Sequence, residues 1–289
     1  MKLQTLKAVL GAAVMVSALA LTGQQAQAGT MFKGWNYSID SFKDGTEGST
    51  IGSKSKFEFY GMAFKETADK VIFAFNSNLS KQGYNYRSAL GGKISYGDLM
   101  LDFTGKGSIN QANGSLYGVR FDATNDTKGK LGLYNNVTTS SVTTQNAGYT
   151  SHNHHTGTVN NNLKGHASFG DMDTNTTYFK GTDAAQTTIA KGNYAGGITE
   201  INDFSAYGLN FGHFNAIGAH TFGFSIDKSL LPKGNFVASL FAECGNDGMV
   251  LVGRVPEPSV IIGLSAVGLM ASASQLRKRR GQASATAEA

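Results

Sequence analysis

"KFEFYGMAFKETADKVIFAFNSNL", residues 56–79, decides the fold. Phe57, Phe59 and Gly61 alternate against Glu58 and Tyr60, the period-two pattern of a half-buried strand. "GMAFKETADK" (61–70) lacks helical spacing and reads as a strand end and a turn. "KVIFAFNSNL" (70–79) is more continuously apolar and reads as a central strand. Together they make an antiparallel pair.

The same grammar recurs along the chain. "GDLMLDFTG" (97–105), "SLYGVRFDA" (115–123), "KLGLYNNVTTSSVT" (130–143), "SAYGLNFGHF" (205–214) and "AHTFGFSIDK" (219–228) are short runs bounded by Gly, Asn and Asp. "NFVASLFAEC" (235–244) and "MVLVGR" (249–254) follow, joined at "GND" (245–247), which reads as a turn between two strands. Alternation places Phe236, Ala238, Leu240, Ala242 and Cys244 on one face, and Val237, Ser239, Phe241 and Glu243 on the other. Helical periodicity is almost absent. With 37 Gly, 3 Pro, 18 Phe and 11 Tyr, the chain reads as aromatic strands with tight Gly turns. The expectation is all-β: one antiparallel β-sandwich or jelly-roll-like domain over residues 29–254. Residues 138–196 differ, being rich in Thr, Asn, Ser and Gly. They read as a polar loop-rich excursion, packed on the sandwich or partly mobile.

The two ends carry a different message. Lys2 and Lys7 precede the apolar "AVLGAAVMVSALAL" (8–21), and "AQA" (26–28) is a small-x-small site. The first 28 residues therefore read as a secretory signal peptide cut between Ala28 and Gly29. At the other end come Val255, Pro256, Glu257 and Pro258. Between Glu257 and Arg277 lie 19 uncharged positions, long enough at ~1.5 Å each to span a bilayer core as a helix. Arg277, Lys278, Arg279 and Arg280 then form a cationic stop, with a polar tail at 281–289. This predicts a single transmembrane segment with its basic end inside.

Charge follows from those ends. The formal +5 is carried by the two terminal segments. Between 29 and 258 there are 19 basic and 19 acidic residues, so the body is neutral. That removes the electrostatic case for a nucleic-acid partner. The lone cysteine, Cys244, excludes an intrachain disulfide and reads as a buried, inert thiol.

"VPEP", an apolar span and "RKRR", in that order behind a signal peptide, resemble the PEP-CTERM sorting signal of exosortase-dependent bacterial surface proteins. The body is also similar to a cyanobacterial group of these proteins, through stretches such as "GWNYSIDSFKDGT" (34–46), "LYGVRFDATND" (116–126) and "HTFGFSIDKSLLPKGNFVASLFAECGNDGMVLVG" (220–253). The resemblance implies secretion-machinery and signal-peptidase handling, a transient membrane anchor, and removal of the tail by an exosortase acting at Pro256, Glu257 and Pro258. It implies release to the cell surface or to a matrix of extracellular polysaccharide. No enzymatic activity and no cofactor come with it.

Candidate chemistry in the body is sparse. His152, His154, His155 and His166 cluster in the polar segment; as metal ligands they would make a secreted metal-dependent hydrolase, and otherwise they line a solvated loop. Asp171, Asp173 and Asn175 have the 1, 3, 5 spacing of a calcium loop, but Thr176 and Thr182 stand where an EF-hand needs Gly and Glu. Asp40, Asp44 and Glu47 around Gly45 form a second acidic candidate; both sets also read as capped turns. Asp98 and Asp102 lie ~13 Å apart along a strand, too far for a glycosidase pair. No G-x-S-x-G elbow occurs. Trp35, Tyr37, Tyr84, Tyr86, Tyr117, Tyr134 and Tyr207 would serve a glycan-binding module if exposed, and pack the core if not.

Overall fold

A computed structural model describes residues 29–256. Ala28, Glu257, Pro258 and the cluster Arg277, Lys278, Arg279 and Arg280 lie outside the described residues, as do the leader and the apolar span.

The protein is all-β, built from antiparallel sheets with short helical turns. The strands are β1 (Thr30–Phe32), β2 (Trp35–Ile39), β3 (Thr46–Glu47), β4 (Thr50–Ile51), β5 (Phe59–Glu66), β6 (Lys70–Ser77), β7 (Tyr84–Asn85), β8 (Lys93–Ile94), β9 (Leu99–Asp102) and β10 (Leu116–Arg120). They continue as β11 (Gly132–Ser140), β12 (Thr188–Gly196), β13 (Ile198–Ile201), β14 (His220–Asp227), β15 (Gly234–Phe241) and β16 (Gly248–Val255). Two short helices are α1 (Ile109–Ala112) and α2 (His152–Gly157). The first large sheet runs β1-β2-β5-β6-β14-β13 and the second β12-β11-β10-β9-β15-β16.

The facing sides of the two sheets share one core. Val71, Phe73 and Phe75 of β6 and Phe222, Phe224 and Ile226 of β14 meet Leu99, Val119, Phe236, Leu240 and Leu251 of the second sheet. The alternate residues are buried as well, because each outer face is covered. Residues 202–219 lay Phe204 and Phe211 over Trp35, Tyr37, Ile72 and Ala74. Residues 141–187 lay Phe169, Met172, Tyr178 and Phe179 over Met100, Tyr134, Phe241 and Val250. Strands covered on both faces are continuously apolar rather than alternating, which is why β6 reads as it does.

Three details differ from the sequence reading. The 56–64 run does not keep one phase: the β5–β6 register shifts between Phe59 and Gly61. That bulge flips the pleat. Phe57 and Phe59 point to the central core, and past the bulge Met62 and Phe64 take over in place of Gly61. The "SAYGLNFGHF" segment is not a strand but two 3-10 turns, Ser205–Tyr207 and Phe211–Phe214. Left-handed Gly208 and Asn215 end each turn and fold the rings down onto the sheet. The 138–196 segment contributes the end of β11 and all of β12. The residues between those strands pack on the second sheet through a buried cluster, and His152 and His155 are buried there rather than lining a solvated loop.

The hairpin of β15 and β16 forms as read, with paired residues from Gly234↔Val255 to Phe241↔Gly248. Its turn starts earlier than "GND": Gly245 N–H donates to Ala242 O (2.8 Å), and Cys244 sits in the turn, fully buried. The outer edge of β16 is covered rather than open. Asn36 Nδ2 and Ser38 Oγ donate to the carbonyls of Val252 and Val250, and Val250 N donates to Phe169 O. This cover removes an edge that could pair with another chain.

Candidate functional site

Four acids from distant parts of the chain converge where the two sheets meet the 141–187 cover. Asp40 and Asp44 lie in the turn after β2, Glu58 immediately precedes β5, and Asp247 closes the β15–β16 turn. Asp44 and Glu58 are fully buried, Asp247 is 1% exposed and Asp40 5%. Asp40, Asp44 and Asp247 each bring one carboxylate oxygen within 4.8 Å of the other two, among the described residues the one such group of three His, Cys, Asp or Glu.

Backbone amides fix the orientation of each carboxylate. Asp40 Oδ1 accepts from Ser41 N (2.9 Å) and Gly170 N (3.1 Å). Asp44 Oδ2 accepts from Ser168 N (2.7 Å) and Glu58 Oε2 from Gly45 N (2.8 Å). Asp247 Oδ2 accepts from Phe59 N and Oδ1 from Gly248 N, both at 2.7 Å. The partner oxygens Asp40 Oδ2, Asp44 Oδ1 and Glu58 Oε1 are buried without a hydrogen-bond partner. Gly45 makes the approach possible, since a Cβ there would fall 2.3 Å from Glu58 Cα.

Electrostatically the site is uncompensated. Burial pushes the carboxyls of Asp40, Asp44, Glu58 and Asp247 far above the usual range, and their mutual repulsion pushes Asp44, Glu58 and Asp247 further. None of the ion pairs among the described residues involves these acids. His155 Nε2 donates to Asp44 O (3.1 Å) beside these acids. Burial holds that imidazole down at about 4, so it is neutral and supplies no counter-charge.

The other candidates disperse. α2 sends its three histidines to three environments: His152 packs on Phe169, Phe179 and Phe241, His155 reaches Asp44, and exposed His154 pairs with Thr150. His166 is exposed, its backbone N–H bound to Lys43 O. Asp171 turns inward to accept from Val252 N (2.9 Å), whereas Asp173 is exposed and accepts from Asn175 N (2.8 Å) in a capped turn. These three positions therefore do not form a common ligand set. Asp98 is held by Asn125 and Ile189 N, and Asp102 by Thr104 and Tyr178, in separate buried networks. Trp35, Tyr37 and Tyr134 are buried, while Tyr86 remains 39% exposed.

Of the Asp40, Asp44 and Glu47 set, the fold keeps the first two. Glu47 instead pairs with Lys56 at the surface (2.7 Å). Glu58 and Asp247 were missed, because a single charge beside a strand reads as solvent-facing until both sheet faces are known to be covered. No protein-family model, curated protein or solved structure matches this chain.

Proposed function

We propose that this chain is an exported, non-catalytic surface or extracellular-matrix protein: a β-sandwich body delivered by a signal peptide and sorted by an exosortase at Pro256, Glu257 and Pro258. The observation that carries the reading is the order leader, body, "VPEP", uncharged span, "RKRR". The position of the body's last strand is consistent with it. β16 ends at Val255, which is buried and paired with Gly234, and the next residue, Pro256, is exposed. Among the described residues the last strand thus ends immediately before Pro256, the first proline of the motif.

A neutral body suits a crowded polysaccharide matrix, where near-zero charge permits association. Three of the side chains a hydrolase could use, Asp98, Asp102 and His152, are tied into buried hydrogen bonds and aromatic packing. The test is replacement of Pro256, Glu257 and Pro258 by alanine. The variant stays in the membrane fraction with its basic tail attached, while the parent is released; equal release of both overturns the sorting reading.

A further inference from the structure

The geometry points to a structural calcium site in which Asp40, Asp44 and Asp247 supply ligand oxygens, with Glu58 beside them. The inference stands on the body alone and does not depend on how the protein is sorted.

Three observations support an ion rather than a chance gathering of acids. The first is orphaned oxygen. Of six buried side-chain polar atoms without a partner among the described residues, three are Asp40 Oδ2, Asp44 Oδ1 and Glu58 Oε1. Native interiors leave few such atoms, and each calls for a partner. Here the second oxygen of every one of these carboxylates is already held by a backbone N–H. In these three a backbone donor fixes one oxygen and leaves the other open, as for carboxylates oriented for a cation by their surroundings, while both Asp247 oxygens accept backbone N–H and would offer the ion a remaining lone pair.

The second is spacing. Two oxygens bound to one calcium at ~2.3–2.6 Å cannot be more than about 5 Å apart. Asp40, Asp44 and Asp247 meet that limit pairwise, within 4.8 Å. The third is charge. Several buried carboxylates without a neighbouring cation are expensive, and a divalent ion offsets the repulsion directly.

The donor set selects the ion. All the inward donors are oxygen, which suits calcium or magnesium rather than zinc or copper. His155, the adjacent nitrogen ligand by type, has its Nε2 committed to Asp44 O. Magnesium keeps several waters, whereas calcium accepts a dehydrated carboxylate cage; at 0–5% exposure the four acids leave little room for a hydrated ion. The ion would tie together the turn after β2, the start of β5 and the β15–β16 turn. Through Ser168 and Gly170, which bind the same acids, it would also hold the 141–187 cover.

The experiment uses the full-length protein in mild detergent, unfolded in EDTA, refolded without metal and then titrated with CaCl2 or MgCl2. Unfolding first removes any ion that so enclosed a site would exchange slowly. The expected result is one calcium retained per chain in equilibrium dialysis, and a Tm that climbs with calcium concentration but not with equal magnesium. Asp44→Asn weakens calcium binding roughly tenfold or more, since affinity follows ligand charge. Asp44→Asn with Glu58→Gln abolishes the calcium response and raises the metal-free Tm, because it removes repelling charge; a purely packing role gives no such gain. Asp173→Asn leaves the response unchanged. Failure of the parent protein to retain calcium, with the same Tm in calcium and EDTA, overturns the inference even if no variant folds. Equal binding of magnesium overturns the choice of ion, and loss of the response in Asp173→Asn overturns its place.

Discussion

Phe169→Ala tests whether residues 141–187 belong to the folded core. Phe169 is 2% exposed and packs edge-on against Phe179 (5.8 Å between ring centres) and Phe241 (5.7 Å), with His152 5.4 Å away. Its carbonyl accepts from Val250 N, so its neighbours also cover the edge of β16. Truncating a fully buried Phe removes its transfer free energy and leaves a cavity, ~3–5 kcal/mol in sum. The lost edge-to-face contacts fall within that figure. The carbonyl bond survives because it is backbone, which places the expected loss near the lower half, about 3–4 kcal/mol. The assay is urea unfolding followed by tryptophan fluorescence from Trp35, which lies in the opposite sheet. A shift of the midpoint with an unchanged slope shows one cooperative unit containing both regions. A loss below ~0.5 kcal/mol, the range of surface substitutions, refutes the reasoning. So does a separate early transition confined to the 141–187 segment.

Other predictions follow from single contacts. Cys244 is fully buried and burial pushes its thiol up to about 12, so a bulky thiol reagent labels it only on unfolding; fast labelling of the native protein contradicts this. Cys244→Ser costs on the order of 1–2 kcal/mol in denaturant unfolding, from placing a hydroxyl where a thiol packs. Gly45→Ala costs about 1–3 kcal/mol by forcing the turn off Glu58, whereas Gly107→Ala, whose added methyl would come no closer than 3.8 Å to Gln111 Oε1, changes Tm little. Burial raises the Glu243 carboxyl from 4.5 to about 8, so the folded state keeps a proton that the unfolded chain has released. Its contribution to stability therefore falls as pH rises from about 4.5 to 8. Glu243→Gln flattens the decline of Tm over that range relative to the parent protein, and identical slopes count against it.

The strand content was legible because apolar residues in this chain mark strands. β6, β14 and the β15–β16 hairpin appear in the sequence as periodic or continuous apolar runs between Gly and Asn. What periodicity misses is a change of phase. A single extra residue at Tyr60–Gly61 reverses which side Met62 and Phe64 occupy, and no local signal in "FYGMAF" announces it. The 205–214 segment fails for the opposite reason. Tyr207, Leu209 and Phe211 alternate with Gly and Asn like a strand, yet Gly208 at φ +69° turns the chain between them. In 141–187 the composition hides the anchors. Val159, Phe169, Met172, Tyr178 and Phe179 are few among many Thr and Asn, but each lands in a buried position. A cover needs only a few anchors when the sheet beneath supplies the rest of the apolar surface.

The carboxylate cluster was half legible for a related reason. Asp40 and Asp44 share one turn, so spacing alone brings them together, and Glu47 was the natural third member on the same grounds. Chain proximity is the wrong criterion once both faces of the sheets are covered. Glu47 can reach water and Lys56, and the fold lets it do so. Glu58 cannot, because Phe57 and Phe59 fix the strand on either side of it and Gly45 closes over its backbone. Asp247 is committed by the hairpin turn, whose geometry carries its carboxylate to Phe59 N. A charged residue caught in this way would be selected against if it did nothing but repel its neighbours, since neutral side chains of the same shape could accept the same backbone bonds. Asp40, Asp44 and Glu58 each keep one buried oxygen without a partner beside one held by a backbone N–H, and the proposed cation would fill that gap.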